Sequence, residues 1–277
     1  MISTTTVISP ESAAEAYDAY HSTDSAILVA GAQEINKREG HYDLAIHLRN
    51  AGLDYIEDRG DEIAIGAMTT MREIETSSLL KELAGGVIVE CLKEFGDTGL
   101  KSKATIGGLI ALKKPASLLI PILLALTTDV LLEGKGRMDL NDYLYCPPMG
   151  EMIKEVIIQK ELVYTTYQVC QSKQGETIHL VGAVSMWDDH WRIVMGGRPG
   201  LAQIAEKASI VLSDKGTGAR ENVAHLVSEE LEFSSTPDCT EEERRLLAID
   251  VVRRLIKKTW KGFSHLVSVD PKGGIRS

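Results

Sequence analysis

Ala104-Thr-Ile-Gly-Gly-Leu-Ile-Ala111 is the stretch that decides how this chain is read. Its Gly107-Gly108 pair follows an apolar, β-branched approach and so marks a backbone loop. About seventy residues earlier another apolar run breaks at glycine, in Ala26-Ile-Leu-Val-Ala-Gly-Ala-Gln-Glu-Ile35. Glycine has no Cβ, so consecutive N–H groups can close around an anion, and a diphosphate is the usual anion that needs this. Two such loops, each fed by a strand, suit one shared ligand. Glycine is also the default turn residue, so two plain turns explain the same residues.

Between them lies a third segment, Ile65-Gly-Ala-Met-Thr-Thr-Met-Arg-Glu-Ile74. In order and spacing, the three segments resemble the FAD-binding subunit of molybdenum hydroxylases, the flavoprotein partner of xanthine dehydrogenases and carbon monoxide dehydrogenases. The family pattern runs Ala-Gly-Gly-Thr-Asp-Leu, then Ile-Gly-Ala-x-Thr-Thr, then Ala-Thr-Ile-Gly-Gly-Asn. The resemblance extends through Pro121-Ile-Leu-Leu-Ala-Leu126 to Glu243-Arg244-Arg245, nearly the whole chain, and looks closest to the short purine-hydroxylase-type branch. It implies an α+β fold. Two α/β subdomains of the PCMH type, about 1–55 and 56–168, would grip FAD; a small α+β domain of the CO dehydrogenase flavoprotein type, an antiparallel sheet plus helices, would fill 169–277.

Carried across by position, the resemblance makes Leu28, Val29, Ala30, Gly31, Ala32, Gln33, Glu34 and Ile35 the first cofactor loop. Ala104, Thr105, Gly107, Gly108, Leu109 and Ile110 become the second. Backbone N–H groups do most of this holding. Thr105 adds a hydroxyl for a phosphate oxygen, or is a β-branched strand residue facing the pleat. Phe95 stands nine positions before Ala104, where some relatives stack an aromatic on the flavin ring; a place in the core is its other reading.

Several positions depart from the pattern. Ala32 replaces the second glycine of the first loop, Gln33 the threonine, and Leu109 the asparagine after Gly-Gly. Leu118 stands where many relatives place a ribose-binding acid, and Lys101-Ser-Lys103 replaces Arg-Asn-Arg. A Cβ where the loop needs positive φ, or a missing charge-assisted hydrogen bond, costs roughly 1–3 kcal/mol per contact, about tenfold or more in affinity. These positions motivate an alternative: a flavin-lacking scaffold or assembly subunit.

Composition narrows the remaining classes. The 277 residues are 44% hydrophobic and 25% charged, ordinary for a globular chain. A net charge of −10 argues against a nucleic-acid surface, which needs a basic face, and no local basic patch stands out. Lys257, Lys258 and Lys261, at the expected end of a helix, read as cations at its negative pole. No apolar run reaches the eighteen or so residues of a membrane span; the longest, Leu118 to Leu126, contains Pro121. The opening Met-Ile-Ser-Thr-Thr-Thr has no basic or apolar signal region, so a cytoplasmic location is expected.

Cys91, Cys146, Cys170 and Cys239 form no C-x-x-C pair and have no histidine at zinc-ligand spacing, so neither a metal nor an iron–sulfur cluster is expected. The histidines, among them His41, His179, His190 and His225, are scattered. Asp188-Asp189 reads as a turn pair, and Gly216-Thr-Gly218 lacks the Gly and Lys of a phosphate loop. The absence of acid, base and nucleophile fits the subunit that the resemblance implies, whose chemistry would belong to the flavin itself. The resemblance thus implies an electron-transfer oxidoreductase subunit, xanthine dehydrogenase-like. Its partners would be an iron–sulfur subunit and a molybdenum-cofactor catalytic subunit, with NAD or another acceptor beyond.

Locally, the pattern predicts an opening strand, a helix over 11–20 after Ser9-Pro10, and strands at 26–30, 44–48 and 62–66. Helices follow at 70 onward, 87–95 and 116–125, the second ended by a turn at Gly96-Asp-Thr-Gly99. Next come a strand at 129–133, a tight turn at Gly134-Lys-Gly136, a helix at 139–144, and strands at 153–158 and 162–169. Two strands, 178–187 and 190–195, then precede helices at 201–208, 218–231 and 240–260. Thr70-x-x-Glu73 and Thr240-x-x-Glu243 both fit capping boxes. Ala248, Val251, Val252 and Leu255 recur at helical spacing.

Overall fold

A computed structural model describes residues 2–31, 39–172, 177–188 and 190–268. Ala32, Gln33, Glu34 and Ile35 of the expected first loop, and Asp189, lie outside the described residues. The chain divides into two compact units.

The first unit comprises residues 1–80, 92–113 and 128–159. Strands β1 (Ile2–Ile8), β2 (Ala26–Val29) and β3 (Gly40–His47) form a parallel sheet in the order β1-β3-β2. Parallel strands need a crossover, and the helix Ala13–His21 supplies it between β1 and β2. Ala13 and Ala16 of that helix cluster with Ile46, Leu48, Leu53 and Met152. The helix starts later than Ser9-Pro10 suggests. The Ser12 hydroxyl accepts the Glu15 N–H while the Glu15 carboxylate accepts the Glu11 N–H, and this reciprocal cap sets the boundary.

The same unit holds an antiparallel sheet of β4 (Ile56–Asp58), β5 (Glu62–Gly66), β6 (Thr128–Leu132), β7 (Gly136–Asp139) and β8 (Ile153–Gln159), in the order β4-β5-β8-β6-β7. Its centre is β8, where Val156 and Ile158 are fully buried. Strand β7, short and polar, carries no sequence signal; it forms because the Gly134 turn folds it back on β6. The expected turn at 96–99 is also a helix start: Asp97 accepts the Leu100 N–H and caps the helix Thr98–Lys101. The helix from Val87 stops at Leu92, short of Phe95. The expected 116–125 helix begins at Leu119, and the 139–144 helix at Leu140, with Asp139 as its cap.

The second unit comprises residues 81–91, 114–127 and 160–277. Strands β9 (Tyr164–Gln171), β10 (Ile178–Trp187), β11 (His190–Gly196) and β12 (Gln203–Ile204) form an antiparallel sheet in the order β12-β11-β10-β9. One core joins Leu180, Val184 and Ile193 of this sheet to Leu212, Val227, Ala248, Val251, Val252 and Leu255 of the helices Glu206–Lys215, Arg220–Glu230 and Glu241–Ser268. The helix expected at 201–208 is corrected: the Ala205 N–H donates to the Ile193 carbonyl, so the chain first pairs as β12 and turns helical only at Glu206. The reading of the lysines is corrected too. The last helix continues to Ser268, leaving Lys257, Lys258 and Lys261 before its final turn, where the pole effect has faded. The whole is α+β, with antiparallel strands and helices in the later part, as expected.

Candidate functional site where two glycine turns meet

Strand β2 ends at Val29, and Ala30-Gly31 carries the chain onward. A Cβ built on Gly31 would lie 1.8 Å from the Lys103 carbonyl oxygen and 3.4 Å from the Ala104 Cα. Only a glycine lets the first turn pass against the second. A Cβ on Gly108 would sit 3.8 Å from the Ala30 methyl, so this pair also faces across the junction.

The second turn rests on the segment from Ile65 to Ile74. Thr70 and Thr105 form an antiparallel bridge; the Met71 N–H donates to Ala104 at 2.9 Å, and the Ile106 N–H to Thr69 at 3.0 Å. The Gly107 N–H donates to the Ala67 carbonyl at 2.9 Å, and a Cβ on Gly107 would collide with the Ala67 methyl at 2.6 Å. The strand-fed loop expected at Gly107-Gly108 is corrected: both glycines lie in the first turn of the helix Ile106–Ala111, and Thr105 is its N-cap, its hydroxyl accepting the Gly108 N–H at 3.2 Å and its carbonyl the Leu109 N–H at 2.9 Å. The capping box predicted at Thr70 and Glu73 is present and fixes the approach.

The N–H groups of Ile106, Gly107, Gly108 and Leu109 are therefore all bound within the protein. What this turn offers a ligand is a close-approach surface without side chains, at the amino end of a short helix and beside the carboxyl end of β2. Close backbone approach of this kind suits a dinucleotide, so the described residues fit one at the level of backbone shape.

Other expected site residues fall as follows. Ile110 is fully buried and Leu109 partly exposed, while Leu28 and Val29 are half-buried. Phe95 is half-buried just after the helix ending at Leu92. Lys101 is 7% exposed and pairs with Glu75 at 2.6 Å, so it is committed inside the unit; the Lys103 side chain is exposed. The hydrogen bond from Lys101 holds the Glu75 carboxyl below its usual range. In the second unit Leu118 is 6% exposed, packed as an apolar residue ahead of the helix Leu119–Ala125.

One residue escaped the sequence reading. His47 ends β3 directly opposite Val29, the residue that leads into the first turn. Its Nδ1 accepts the Arg49 N–H at 3.3 Å, and burial followed by the Arg49 charge lowers its pKa. Nothing local marks it, because its significance lies in a strand register.

Among the described residues no group of His, Cys, Asp and Glu could hold a metal ion, and no helix is long and apolar enough to cross a membrane.

Residues 3–160 match the family described as the FAD binding domain in molybdopterin dehydrogenase. The curated protein YgfM of Escherichia coli K12, itself uncharacterized, is 28% identical over 178 residues, which are 63% of this chain and 66% of that protein. The match thus spans just under two-thirds of that relative's length. Among solved structures, a chain of the reconstituted CO dehydrogenase from Oligotropha carboxidovorans superposes with a TM-score of 0.83 at 22% identity, covering 94% of this chain and 98% of its own. A chain of quinoline 2-oxidoreductase from Pseudomonas putida 86 gives 0.83 at 19% identity, covering 93% and 97%. Both share the fold.

Proposed function

Since the chain belongs to the molybdopterin dehydrogenase FAD-binding domain family, we propose that it is the FAD-carrying electron-transfer subunit of a molybdenum hydroxylase. In this reading an iron–sulfur subunit and a molybdenum-cofactor subunit are its partners, and NAD or another acceptor takes the electrons. Bound FAD would supply the exchange between one-electron carriers and a two-electron acceptor. The chain's part is to hold and orient. Gly31, Gly107 and Gly108 let backbone approach the dinucleotide, and Thr105 fixes the helix start beneath it. We assign the cofactor-holding portion to 1–168 and a partner-facing or structural role to 169–277.

The observation that carries this reading is the meeting of Gly31 with Lys103 and Ala104 across about seventy residues of sequence. Co-expression with the products of neighbouring genes, followed by mild purification, tests it. A yellow complex containing iron, sulfide and molybdenum supports the proposal, whereas a colourless, solitary chain opposes it.

A second reading, a flavin-lacking scaffold in the same kind of complex, draws on the inward-bonded amides of Ile106 to Leu109 and on buried Leu118. That reading expects the complex to assemble without flavin on this chain. Flavin absorbance of the isolated subunit separates the two.

A further inference from the structure

We propose that His47 is a ligand-binding residue, whose Nε2–H donates to a diphosphate oxygen of the dinucleotide held at the two glycine turns. This rests on the cofactor reading above and adds to it a side chain that neither loop contains.

Place is the first argument. The three parallel strands present their carboxyl ends together, and ligands of such sheets bind outside those ends. His47 is the last residue of the central strand, in register with Val29. Neighbouring strands lie about 4.8 Å apart and rise roughly 3.3 Å per residue, so the His47 backbone lies one strand spacing from the residue that leads into the Ala30-Gly31 turn. Leu44, Ile46 and Leu28 pack toward the helix 13–21. Alternation along the strands then puts His47 on the opposite face, shared with Val29.

Protonation is the second argument. Nδ1 accepts a backbone N–H, so in the neutral ring the proton must sit on Nε2. Among the described residues no acceptor meets that Nε2. Burial and Arg49 both favour the neutral form, so the ring keeps one fixed donor. Arg49 itself follows on the short 3-10 turn Leu48–Asn50, whose start His47 caps.

Two substitutions separate a ligand contact from that cap. Asparagine places its amide near the position of Nδ1, so His47→Asn keeps an acceptor for Arg49 and loses the distal donor. Glutamine reaches the position of Nε2, so His47→Gln keeps the donor and loses the cap. The chain is titrated calorimetrically with FAD and with riboflavin, which lacks both phosphates and the adenosine, and melting of each ligand-free variant is recorded. The expected result is FAD affinity about tenfold weaker in His47→Asn, within about threefold of wild type in His47→Gln, and riboflavin affinity unchanged in both. Unchanged FAD binding in His47→Asn, or weakening that simply follows a lowered melting temperature in His47→Gln, overturns the proposal. Equal loss of riboflavin binding overturns its placement at the diphosphate. If the wild-type chain takes up no FAD, the cofactor reading itself fails, a result distinct from failure of the histidine alone.

Discussion

Gly31 lies so close to Lys103 that a side-chain carbon at position 31 would stand 1.8 Å from the Lys103 carbonyl oxygen. A backbone oxygen cannot swing aside as a side-chain end can, so Gly31→Ala must push one turn away from the other. Overpacking of this kind costs about 1–3 kcal/mol. Gly31→Ala should lower stability in urea denaturation by that amount and weaken FAD binding, while Gly216→Ala, with open space around it, should leave FAD binding unchanged.

Tyr164 and Gly262 form a comparable close pair in the second unit. A Cβ on Gly262 would meet the Tyr164 ring at 1.9 Å, and one on Gly85 would meet it at 2.9 Å. Gly262 lies in a helix, where alanine has the better propensity by about 1 kcal/mol. Gly262→Ala should nevertheless destabilise, by about 1–3 kcal/mol, because the collision outweighs propensity. Combined with Tyr164→Ala it should cost less than the sum of the single changes, as measured in a double-mutant cycle.

Glu155 gives a pH prediction. It is 4% exposed on β8, accepts two hydrogen bonds from Arg59 at 2.7 and 3.1 Å, and accepts the Tyr55 hydroxyl proton at 2.5 Å. Burial pushes its pKa up, but the bonds from Arg59 and then Tyr55 outweigh this and leave it below the usual 4.5. A folded-state pKa below the unfolded one means stabilisation that is complete above about 4.5 and disappears as pH falls through the lowered value. Glu155→Gln should therefore reduce stability near neutral pH by about 2 kcal/mol and flatten the acid limb of a stability–pH curve. Some slope should survive, because Glu62 and Glu75 are lowered as well.

Arg244, 1% exposed, donates to the Ser234, His179 and Gly197 carbonyls and to the Thr236 hydroxyl. Lysine cannot reproduce that planar fork. Arg244→Lys should destabilise the chain by about 2 kcal/mol or more, seen as an earlier denaturant midpoint at unchanged slope.

What sequence alone disclosed followed the range of the physics. Capping boxes at Thr70/Glu73 and Thr240/Glu243 act across three residues, and both were legible. Strand β7 and the 203–204 strand are too short and too polar to show a pattern of their own, and exist by pairing with the preceding strands β6 and β11. The length of the last helix was understated because Gly262 weakens the local helix signal, although Ile256 and Phe263 carry the buried stripe on. At the site, family resemblance pointed to both glycine turns, yet the reason for Gly31 is a steric contact visible only in three dimensions. His47 was missed for a related cause: register with Val29 is a tertiary fact. The inward bonding of the second turn's amides was equally invisible.

Calorimetric titration of the purified, ligand-free chain with FAD puts the central claim to its most direct trial. The account predicts saturable uptake of about one FAD per chain, a raised melting temperature, and weakened uptake in Gly31→Ala. Absence of binding by a folded wild-type chain, or full binding by a folded Gly31→Ala variant, would contradict it.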